Sequence, residues 1–463
     1  MSKFDRRKFI KTTSLSAALA STPSLYSFKS RSSDQKYMGD FASPKLKNIK
    51  AAFIGVGYRG KGHLNLFASL TGTEVVAISD LYEDNIKASM KILEKLNKPV
   101  DKIKTYWGGE NKWKTMLNEV KPDIVFISTD WNSHGEMAIE TMKNNAHAFV
   151  EVPLALSIKQ LWEIVDTSEK YNKHCMMMEN VNYGREELMF LNIIRNGHLG
   201  DLLHAEAAYI HDLRFQMFEE ERGTGSWRTL QYEKKKGNLY PTHGLGPVSQ
   251  YMNLLRSEDN FKTIVSFSSP AMGRKKFANE NFPENHKWNE LNYQNGDINT
   301  YIIKTQVGRT IMVQWDETSP RPYTRLNLIQ GTKGILAGGP TRAAFDDGFE
   351  NFTDDAHQWI KDDGIKRLYE KYDHPLFKRL NNKTKNSGHG GMDGIMMYRI
   401  VECLQNGTPL DQNLYEGCAW SALIELTSNS VNNNGEPQEF PDFTKGNWVN
   451  TCLLYTSPSP RDP

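Results

Sequence analysis

The sequence predicts two folded domains, an α/β domain built on a doubly wound parallel sheet and an α+β domain built on an open, largely antiparallel sheet. First, the chain has 463 residues, which is more than one ordinary hydrophobic core accommodates. Second, short apolar strands alternate with helical stretches over residues 48–180, a pattern typical of a parallel sheet. Third, residues 181–448 contain several strands with polar–apolar alternation, which favours an antiparallel sheet with one open face.

The two ends of the chain differ in character from the part between them. Residues 1–20 combine adjacent arginines with a Ser/Ala-rich apolar stretch, so they resemble a twin-arginine export signal. We therefore expect a protein exported by the twin-arginine route that is periplasmic or surface-associated. Residues 21–47 are rich in Ser, Lys and Pro and are predicted to form a linker or arm. Residues 449–463 are predicted to be a non-native tail, because residues 453–463 resemble translated sequencing-adapter read-through.

Charge and cysteine content exclude several classes of partner. The 57 Lys and Arg side chains nearly balance 55 Asp and Glu, which leaves no electrostatic field for gathering nucleic acid or an anionic membrane. No apolar run approaches the roughly 20 residues of a transmembrane segment. Cys175, Cys403 and Cys418 have no metal-ligand spacing, so we predict buried thiols and no metal site. An enzyme or a binding protein remains.

A glycine-rich turn near the start of the first domain predicts a dinucleotide site. A strand at residues 50–54 enters Gly55-Val56-Gly57-Tyr58-Arg59-Gly60, and a helix and a second strand ending at Asp80 follow. Gly55 and Gly57 allow a tight turn and close approach of a pyrophosphate, and Gly60 lets the helix pack on the strand. Asp80 is placed to bond a ribose 2′-hydroxyl and would repel a 2′-phosphate, so NAD is favoured over NADP. Residues 48–180 are thus predicted to be an NAD-binding Rossmann domain.

The later strands of this domain each lead into a polar cluster. In open parallel sheets, ligands bind outside the carboxyl ends of the strands, where these clusters would lie. The clusters are Asp130 to His134 after the strand 123–128, Glu151-Val152 after 147–150, and Glu179-Asn180 after 175–178.

The second domain is predicted to carry the substrate site and to mediate oligomerisation. Its strands are expected at residues 203–210, 262–268, 300–306, 310–315 and 325–330, and an exposed face of that sheet favours a homodimer. Late helices near 391–404 and 415–432 are expected to pack back on the first domain.

Four polar clusters interrupt the second domain, and one of them favours acid–base chemistry. Single histidines in such clusters are more often structural than functional. Tyr240 and His243, however, share a loop that enters a helix, where the helix dipole favours a neutral imidazole that can act as a base. The clusters are Tyr209 to Arg214, Trp227-Arg228, Tyr240 to Gly244 and Ser387 to Asp393.

These motifs together resemble the Gfo/Idh/MocA oxidoreductase superfamily and, within it, glycoside hydrolase family 109, the NAD-dependent α-N-acetylgalactosaminidases. The resemblance runs from Lys50 to Trp448. Ordinary dehydrogenases of the superfamily carry E-K-P where this chain has Glu151-Val152-Pro153, and the lysine serves in catalysis. Because Val152 cannot exchange a proton with a hydroxyl, simple dehydrogenation is disfavoured. The motifs that carry the resemblance are AFIGVGYRG, AISD, WNSH, EVP, MEN, YPTHG and HGGMD.

The resemblance also implies a set of site residues. NAD contacts are expected, beyond the glycines, from Tyr58, Arg59, Asp80, Trp131, Asn132, Ser133, His134, Glu151, Val152, Asn180, Arg228 and Tyr240. The sugar pocket is expected to be lined by Tyr209, Tyr240, Pro241, Thr242, His243 and Tyr323. For catalysis we assign proton transfer to His243 and Tyr240, a hydroxyl near C2 or C3 to Tyr183, and pocket polarity or an accessory proton role to Glu151.

The implied activity is hydrolysis of terminal α-N-acetylgalactosamine residues of a glycan or glycoside by a redox-neutral cycle with tightly bound NAD. The family's cycle oxidises the sugar at C3, eliminates the aglycone, adds water and reduces the product. It needs no pair of flanking carboxylates, and the sequence shows no compelling pair. Two alternatives stay open: an exported NAD(P)-dependent sugar oxidoreductase of the same superfamily, and a carbohydrate-binding protein that keeps NAD as a scaffold.

Overall fold

The computed structural model describes residues 31–32, 34–346 and 358–452. The expected signal at 1–20, the first part of the arm and residues 453–463 of the expected tail lie outside these ranges. The described part of the arm runs along the protein: the Arg31 Nε donates to Glu169 Oε1 at 2.9 Å, and the Met38 backbone N–H donates to the Tyr415 hydroxyl at 3.0 Å. Within the described ranges, no helix combines the length and apolar character needed to cross a membrane.

The first domain contains a six-stranded sheet in the order β3-β2-β1-β4-β5-β6, and every pairing in it is parallel. This confirms the predicted doubly wound sheet. Strands β4 and β5 are buried along their whole length, which explains their unbroken apolar sequence. The strands are β1 Ile49–Ile54, β2 Thr73–Ser79, β3 Lys104–Tyr106, β4 Ile124–Ile127, β5 His147–Val150 and β6 Cys175–Met177.

Helices cover both faces of this sheet and connect its strands. They are α1 Tyr58–Ala68, α2 Glu83–Lys95, α3 Lys112–Val120, α4 His134–Lys143 and α5 Ile158–Tyr171. The Ser157 hydroxyl caps α5 by accepting a hydrogen bond from the Gln160 backbone N–H. Sequence reasoning did not anticipate β3 or α3, because β3 is short and mostly exposed and so lacks an apolar run.

The second domain contains an eight-stranded sheet in the order β13-β12-β11-β7-β10-β9-β8-β14. All its pairings are antiparallel except that between β7 and β10, so the prediction of a largely antiparallel sheet is confirmed. Its strands are β7 Leu202–Ile210, β8 Phe261–Ser268, β9 Ile298–Thr305, β10 Thr310–Asp316, β11 Leu328–Gly331, β12 Gly334–Ala337, β13 Arg342–Phe345 and β14 Gln438–Glu439.

The helices of the second half of the chain pack on both domains. Ile395 and Met396 lie in the same buried cluster as Phe53 and Leu64 of the first domain. These late residues therefore pack against the first domain. The helices are α6 Arg185–Arg195, α7 Thr224–Arg228, α8 Gln231–Lys234, α9 Thr242–Tyr251, α10 Gly273–Asn281, α11 Lys287–Glu290, α12 Asp363–Tyr372, α13 Pro375–Thr384, α14 Met392–Asn406 and α15 Leu414–Asn432.

Candidate active site

The glycine-rich turn between β1 and α1 leaves no room for a side chain at Gly55 or Gly60 but leaves room at Gly57. Gly55 has a φ of +79°, and a Cβ there would lie 2.7 Å from the Ser128 carbonyl oxygen. A Cβ at Gly60 would lie 1.9 Å from the Gly55 carbonyl oxygen, so helix and strand touch at this point. A Cβ at Gly57, by contrast, would meet no atom within 4 Å. The open space therefore lies at Gly57, where helix α1 begins without a side-chain cap.

Asp80, at the end of β2, lies beside this turn. Its Oδ2 accepts a hydrogen bond from the Val56 backbone N–H at 2.8 Å, and its Oδ1 accepts one from the Tyr82 backbone N–H at 2.9 Å. Asn85 Nδ2 also donates to Oδ1, at 3.2 Å. A carboxylate offers about four acceptor positions, so Asp80 retains one for a ribose hydroxyl. The open position at Gly57, the uncapped helix N-terminus and this carboxylate fit a dinucleotide.

An ionic network follows at the end of β5. The Arg59 Nε donates to Glu151 Oε1 at 3.0 Å, and its Nη1 donates to Asp393 Oδ2 at 2.9 Å. His63 Nε2 lies 2.6 Å from the same oxygen of Glu151. Burial alone would raise the pKa of Glu151, but the charge of Arg59 and the contact with His63 outweigh it and hold that pKa well below its ordinary range. Glu151 is therefore an anion at neutral pH.

Two further residues extend this network. The Asn180 Nδ2 donates to Asp393 Oδ1 at 2.6 Å, and His389 Nδ1 lies 2.7 Å from Asp393 Oδ2. The predicted cofactor residues Arg59, Glu151 and Asn180 thus form one connected group.

The residues of the cluster that follows β4 differ in their exposure. Trp131 packs against Trp227 and Tyr240, with ring centroids 5.0 and 5.8 Å apart, and Asn132 is exposed. Ser133 donates to Thr129 Oγ1 at 2.8 Å. His134, which is expected to contact NAD, has its ring turned into the protein: the residue is 1% exposed, and its Nδ1 lies 2.7 Å from the Pro153 carbonyl oxygen. Burial lowers the pKa of His134, so this ring is a neutral structural group.

The other expected cofactor residues differ in exposure. Tyr58 is 90% exposed, whereas Val152 is buried in the hydrophobic core. Arg228 is buried, and its Nη2 donates to Glu317 Oε1 at 2.6 Å. The Arg228 guanidinium lies 4.7 Å from the Trp131 ring centroid and 4.9 Å from that of Tyr240, which links the first domain to the expected sugar pocket.

The aromatic residues that are expected to line the sugar pocket lie close together. The Tyr240 ring lies 4.9 Å from Tyr209 and 4.8 Å from His243, and Tyr209 lies 5.2 Å from His243. Tyr323 extends this cluster, with its ring 6.2 Å from Tyr209 and its hydroxyl accepting from Arg325 at 2.7 Å. Pro241 and Thr242, which are also expected in the pocket, are buried.

A buried carboxylate lies directly behind His243. Nδ1 of His243 is 2.7 Å from Oε1 and 2.9 Å from Oε2 of Glu179, and Glu179 is fully buried. Because a carboxylate can only accept, Nδ1 carries a proton, and Nε2 of the neutral ring is left unprotonated. The pair is thus arranged as a base with an orienting anion.

Tyr183, which is expected to act near the sugar, lies inside the protein. Its residue is 3% exposed, and its hydroxyl donates to Asp411 Oδ2 at 3.3 Å. It belongs to the buried cluster that contains Leu188 and Ile395. In this structure the hydroxyl of Tyr183 is therefore engaged with Asp411 inside the protein.

Sequence reasoning left Glu179, Asp393 and Glu317 out of the site. Glu179 stands in the MEN motif at a strand end and Asp393 in the HGGMD motif, so their positions carried a signal. Glu317 had none, since its partner Arg228 is far away in sequence. No cluster of His, Cys, Asp or Glu within the described residues is suited to hold a metal ion, and Cys175, Cys403 and Cys418 are buried free thiols.

Comparison with known proteins assigns both domains. Residues 49–179 match the oxidoreductase family model with the NAD-binding Rossmann fold, and residues 183–450 match the C-terminal domain model of glycosyl hydrolase 109. A glycosyl hydrolase family 109 protein of Akkermansia muciniphila is 56% identical over 420 residues, covering 90% of this chain and 86% of its own. The chain belongs to glycosyl hydrolase family 109. A family 109 protein of Shewanella pealeana is 50% identical over 453 residues, covering 96% of this chain and 97% of its own.

Solved structures share the fold of this family 109 protein. An NAD-binding oxidoreductase from Klebsiella pneumoniae superposes with a TM-score of 0.63 at 15% identity, covering 85% of this chain and 99% of its own. Scyllo-inositol dehydrogenase from Lactobacillus casei, solved with NAD(H) and scyllo-inositol, superposes with a TM-score of 0.58 at 12% identity, covering 85% and 99%. This family 109 chain therefore has the two-domain fold of Gfo/Idh/MocA oxidoreductases, with an NAD-binding Rossmann domain.

Proposed function

We propose that this family 109 protein is an α-N-acetylgalactosaminidase that hydrolyses terminal α-N-acetylgalactosamine residues of glycans by a redox-neutral cycle. The observation that carries the proposal is the pair of His243 and Glu179, which lies among aromatic rings and is joined through Tyr240 and Trp131 to the NAD-binding domain. Aromatic rings offer apolar faces to a sugar, and a base beside them can act on its ring protons.

The chain's own residues would hold NAD tightly between the two domains. Gly57 and the start of α1 suit its pyrophosphate, Asp80 suits the adenosine ribose, and Arg228 closes the opposite end next to Trp131. When bound, NAD would supply the hydride acceptor and donor for C3 of the sugar. While C3 is oxidised to a ketone, the proton on the neighbouring C2 is acidic.

His243 is the proposed base for the C2 proton. Its Nε2 can accept that proton, and Glu179 would stabilise the resulting imidazolium through Nδ1. Burial, followed by the charge of Glu151, raises the pKa of Tyr240 well above its ordinary value, so its phenol stays protonated. Tyr240 is therefore assigned as a hydrogen-bond donor to a sugar oxygen.

Two other expected catalytic residues receive supporting roles. The depressed pKa of Glu151 suits pocket polarity and not a proton carrier, because a carboxylate that remains ionised cannot donate at neutral pH. Tyr183 is assigned a positioning role: its phenol bonds Asp411, which in turn accepts from Arg399 Nε at 2.9 Å.

The alternative function is an NAD(P)-dependent sugar oxidoreductase. Val152 disfavours it, since a buried valine offers no proton-exchanging group at the corner after Glu151.

One assay separates the two functions. Purified protein without added nicotinamide is mixed with 4-nitrophenyl α-N-acetylgalactosaminide, and released phenol and the NADH absorbance are followed together. Phenol without net NADH supports the glycosidase, whereas NADH formed from free sugars without phenol supports the oxidoreductase.

Export and dimer formation complete the proposal. The arginine pair of residues 1–20 supports export by the twin-arginine route to the periplasm or cell surface.

On the second sheet, Phe267 and Ile302 expose large apolar side chains, which supports a homodimer through that face. Sedimentation velocity on the native protein and on Ile302→Lys would test it: a monomeric native protein would exclude the dimer, and loss of the dimer in the variant would support it.

A further inference from the structure

A segment of the second domain, Glu219 to Gln231, reaches the first domain at two separate points; we call it the strap. At one point the Arg222 Nη1 donates to Asp84 Oδ2 at 2.8 Å, and the Arg222 guanidinium lies 4.1 Å from the ring centroid of Tyr82. At the other point, Trp227 packs on Trp131 with ring centroids 5.0 Å apart. The strap therefore touches the first domain both after β2 and after β4.

The sheet order shows what lies between these two points. Strand β1 is hydrogen-bonded to β2 on one side and to β4 on the other. The turn Gly55 to Gly60 leaves the carboxyl end of β1. A segment that joins the ends of β2 and β4 therefore spans the glycine turn, whose open position is Gly57. The Arg222 end of the strap is next to Asp80, because the Tyr82 backbone N–H donates to that carboxylate.

The two ends of the strap are fixed with different strength. At the Trp227 end, the neighbouring Arg228 is buried and paired with Glu317, and a Cβ on Gly225 would lie 1.7 Å from the Gln216 carbonyl oxygen. At the other end, the side chains of Arg222 and Asp84 are 40% and 69% exposed. Exposed ion pairs are weak and are screened by salt. The Arg222 end is therefore the one that can open.

We propose that the strap retains NAD in this protein and that Arg222, held by Asp84 and Tyr82, is the clasp that must open before the cofactor leaves. This inference rests on the proposed function, since it requires that NAD occupies the cleft. Arg222 acts here as a positioning residue, because it sets the rate of cofactor release and contacts no reacting atom. Because the proposed cycle regenerates NAD in every turnover, the enzyme does not need to exchange its cofactor, and slow release keeps it active.

Release of NAD is the measurement that tests the clasp. The purified protein is loaded with NAD, diluted into NAD-free buffer and desalted at intervals, and the retained NAD is extracted and quantified. Removing both the ion pair and the ring contact in Arg222→Ala is expected to speed release about tenfold, with a smaller effect in Asp84→Asn, which keeps the ring contact. Raising the salt concentration should speed release from the native protein and leave Arg222→Ala unchanged.

Arg379→Ala is the matched control. Arg379 also pairs with a carboxylate, with its Nη2 2.8 Å from Glu402 Oε2, and its guanidinium lies 5.6 Å from the Tyr398 ring centroid. Thermal unfolding without NAD should be alike in both arginine variants. Equal release rates from Arg222→Ala and the native protein would overturn the clasp while leaving the proposed function intact. A native protein that binds no NAD at all would overturn the proposed function itself.

Discussion

His243 and Glu179 are joined by a hydrogen bond of 2.7 Å that crosses from one domain to the other. Glu179 follows β6, the last strand of the parallel sheet, and His243 lies in the first turn of α9. The orientation of the proposed base therefore depends on how the domains pack, and not on its own loop alone.

Replacing Glu179 by Gln should reduce kcat by about 10²-fold or more, because an amide can donate to Nδ1 and so favour the wrong tautomer of His243. Hydrolysis of 4-nitrophenyl α-N-acetylgalactosaminide measures the effect. Glu169→Gln is the control: Glu169 is also fully buried, but it binds Tyr415 and Lys445 away from the rings. If Glu179→Gln and Glu169→Gln lose activity equally, the orienting role is wrong.

Tyr240→Phe should lower kcat roughly tenfold to 10²-fold while the unfolding midpoint stays close to that of the native protein. The phenol is the proton-bearing group that the proposal uses, and the ring contacts with Tyr209 and His243 remain in the variant. His243→Ala, measured alongside, should lose more, since it removes the base. Native rates from both variants would exclude the proposed division of labour.

Two glycine variants separate cofactor binding from folding. Gly57→Ala places a methyl group in open space, so stability should change little while NAD content falls, because the methyl occupies the position where the pyrophosphate approaches. Gly60→Ala drives a methyl group into the Gly55 carbonyl oxygen and should destabilise the protein by roughly 2 kcal/mol. Urea unfolding and extracted NAD measure the two effects. Normal NAD content in Gly57→Ala would show that the cofactor does not approach there.

Local sequence patterns predicted the parts of this protein that depend on neighbouring residues. Strand β1, the glycine turn and Asp80 follow one another within a short stretch of sequence, and the structure shows the predicted order of strand, turn, helix and strand. The surroundings of Tyr183 could not be predicted, because its partner Asp411 belongs to a distant loop that only tertiary packing brings near. The link between Arg228 and Glu317 was invisible for the same reason.

Buried histidines should make stability fall as the pH falls below neutrality. Burial, followed by the charge of Lys173, lowers the pKa of His147 from 6.5 to about 3, and burial lowers the pKa of the adjoining His174 well below its ordinary value. Between pH 6.5 and about pH 3, the unfolded chain binds a proton at His147 that the folded protein does not bind. The free energy of unfolding therefore rises with pH in this range. The stabilisation is complete above about pH 6.5 and is lost progressively toward pH 3.

His147→Asn tests this directly, because an amide oxygen can still accept from the His174 backbone N–H, which lies 2.9 Å from Nδ1 of His147, but cannot titrate. At about 1.4 kcal/mol per pKa unit, the native protein should lose about 2 kcal/mol through His147 between pH 6.5 and 5, and the variant should lack that share of the slope. Urea unfolding at the two pH values measures it. A His147→Asn slope equal to the native slope would mean that His147 titrates alike in the folded and unfolded chain.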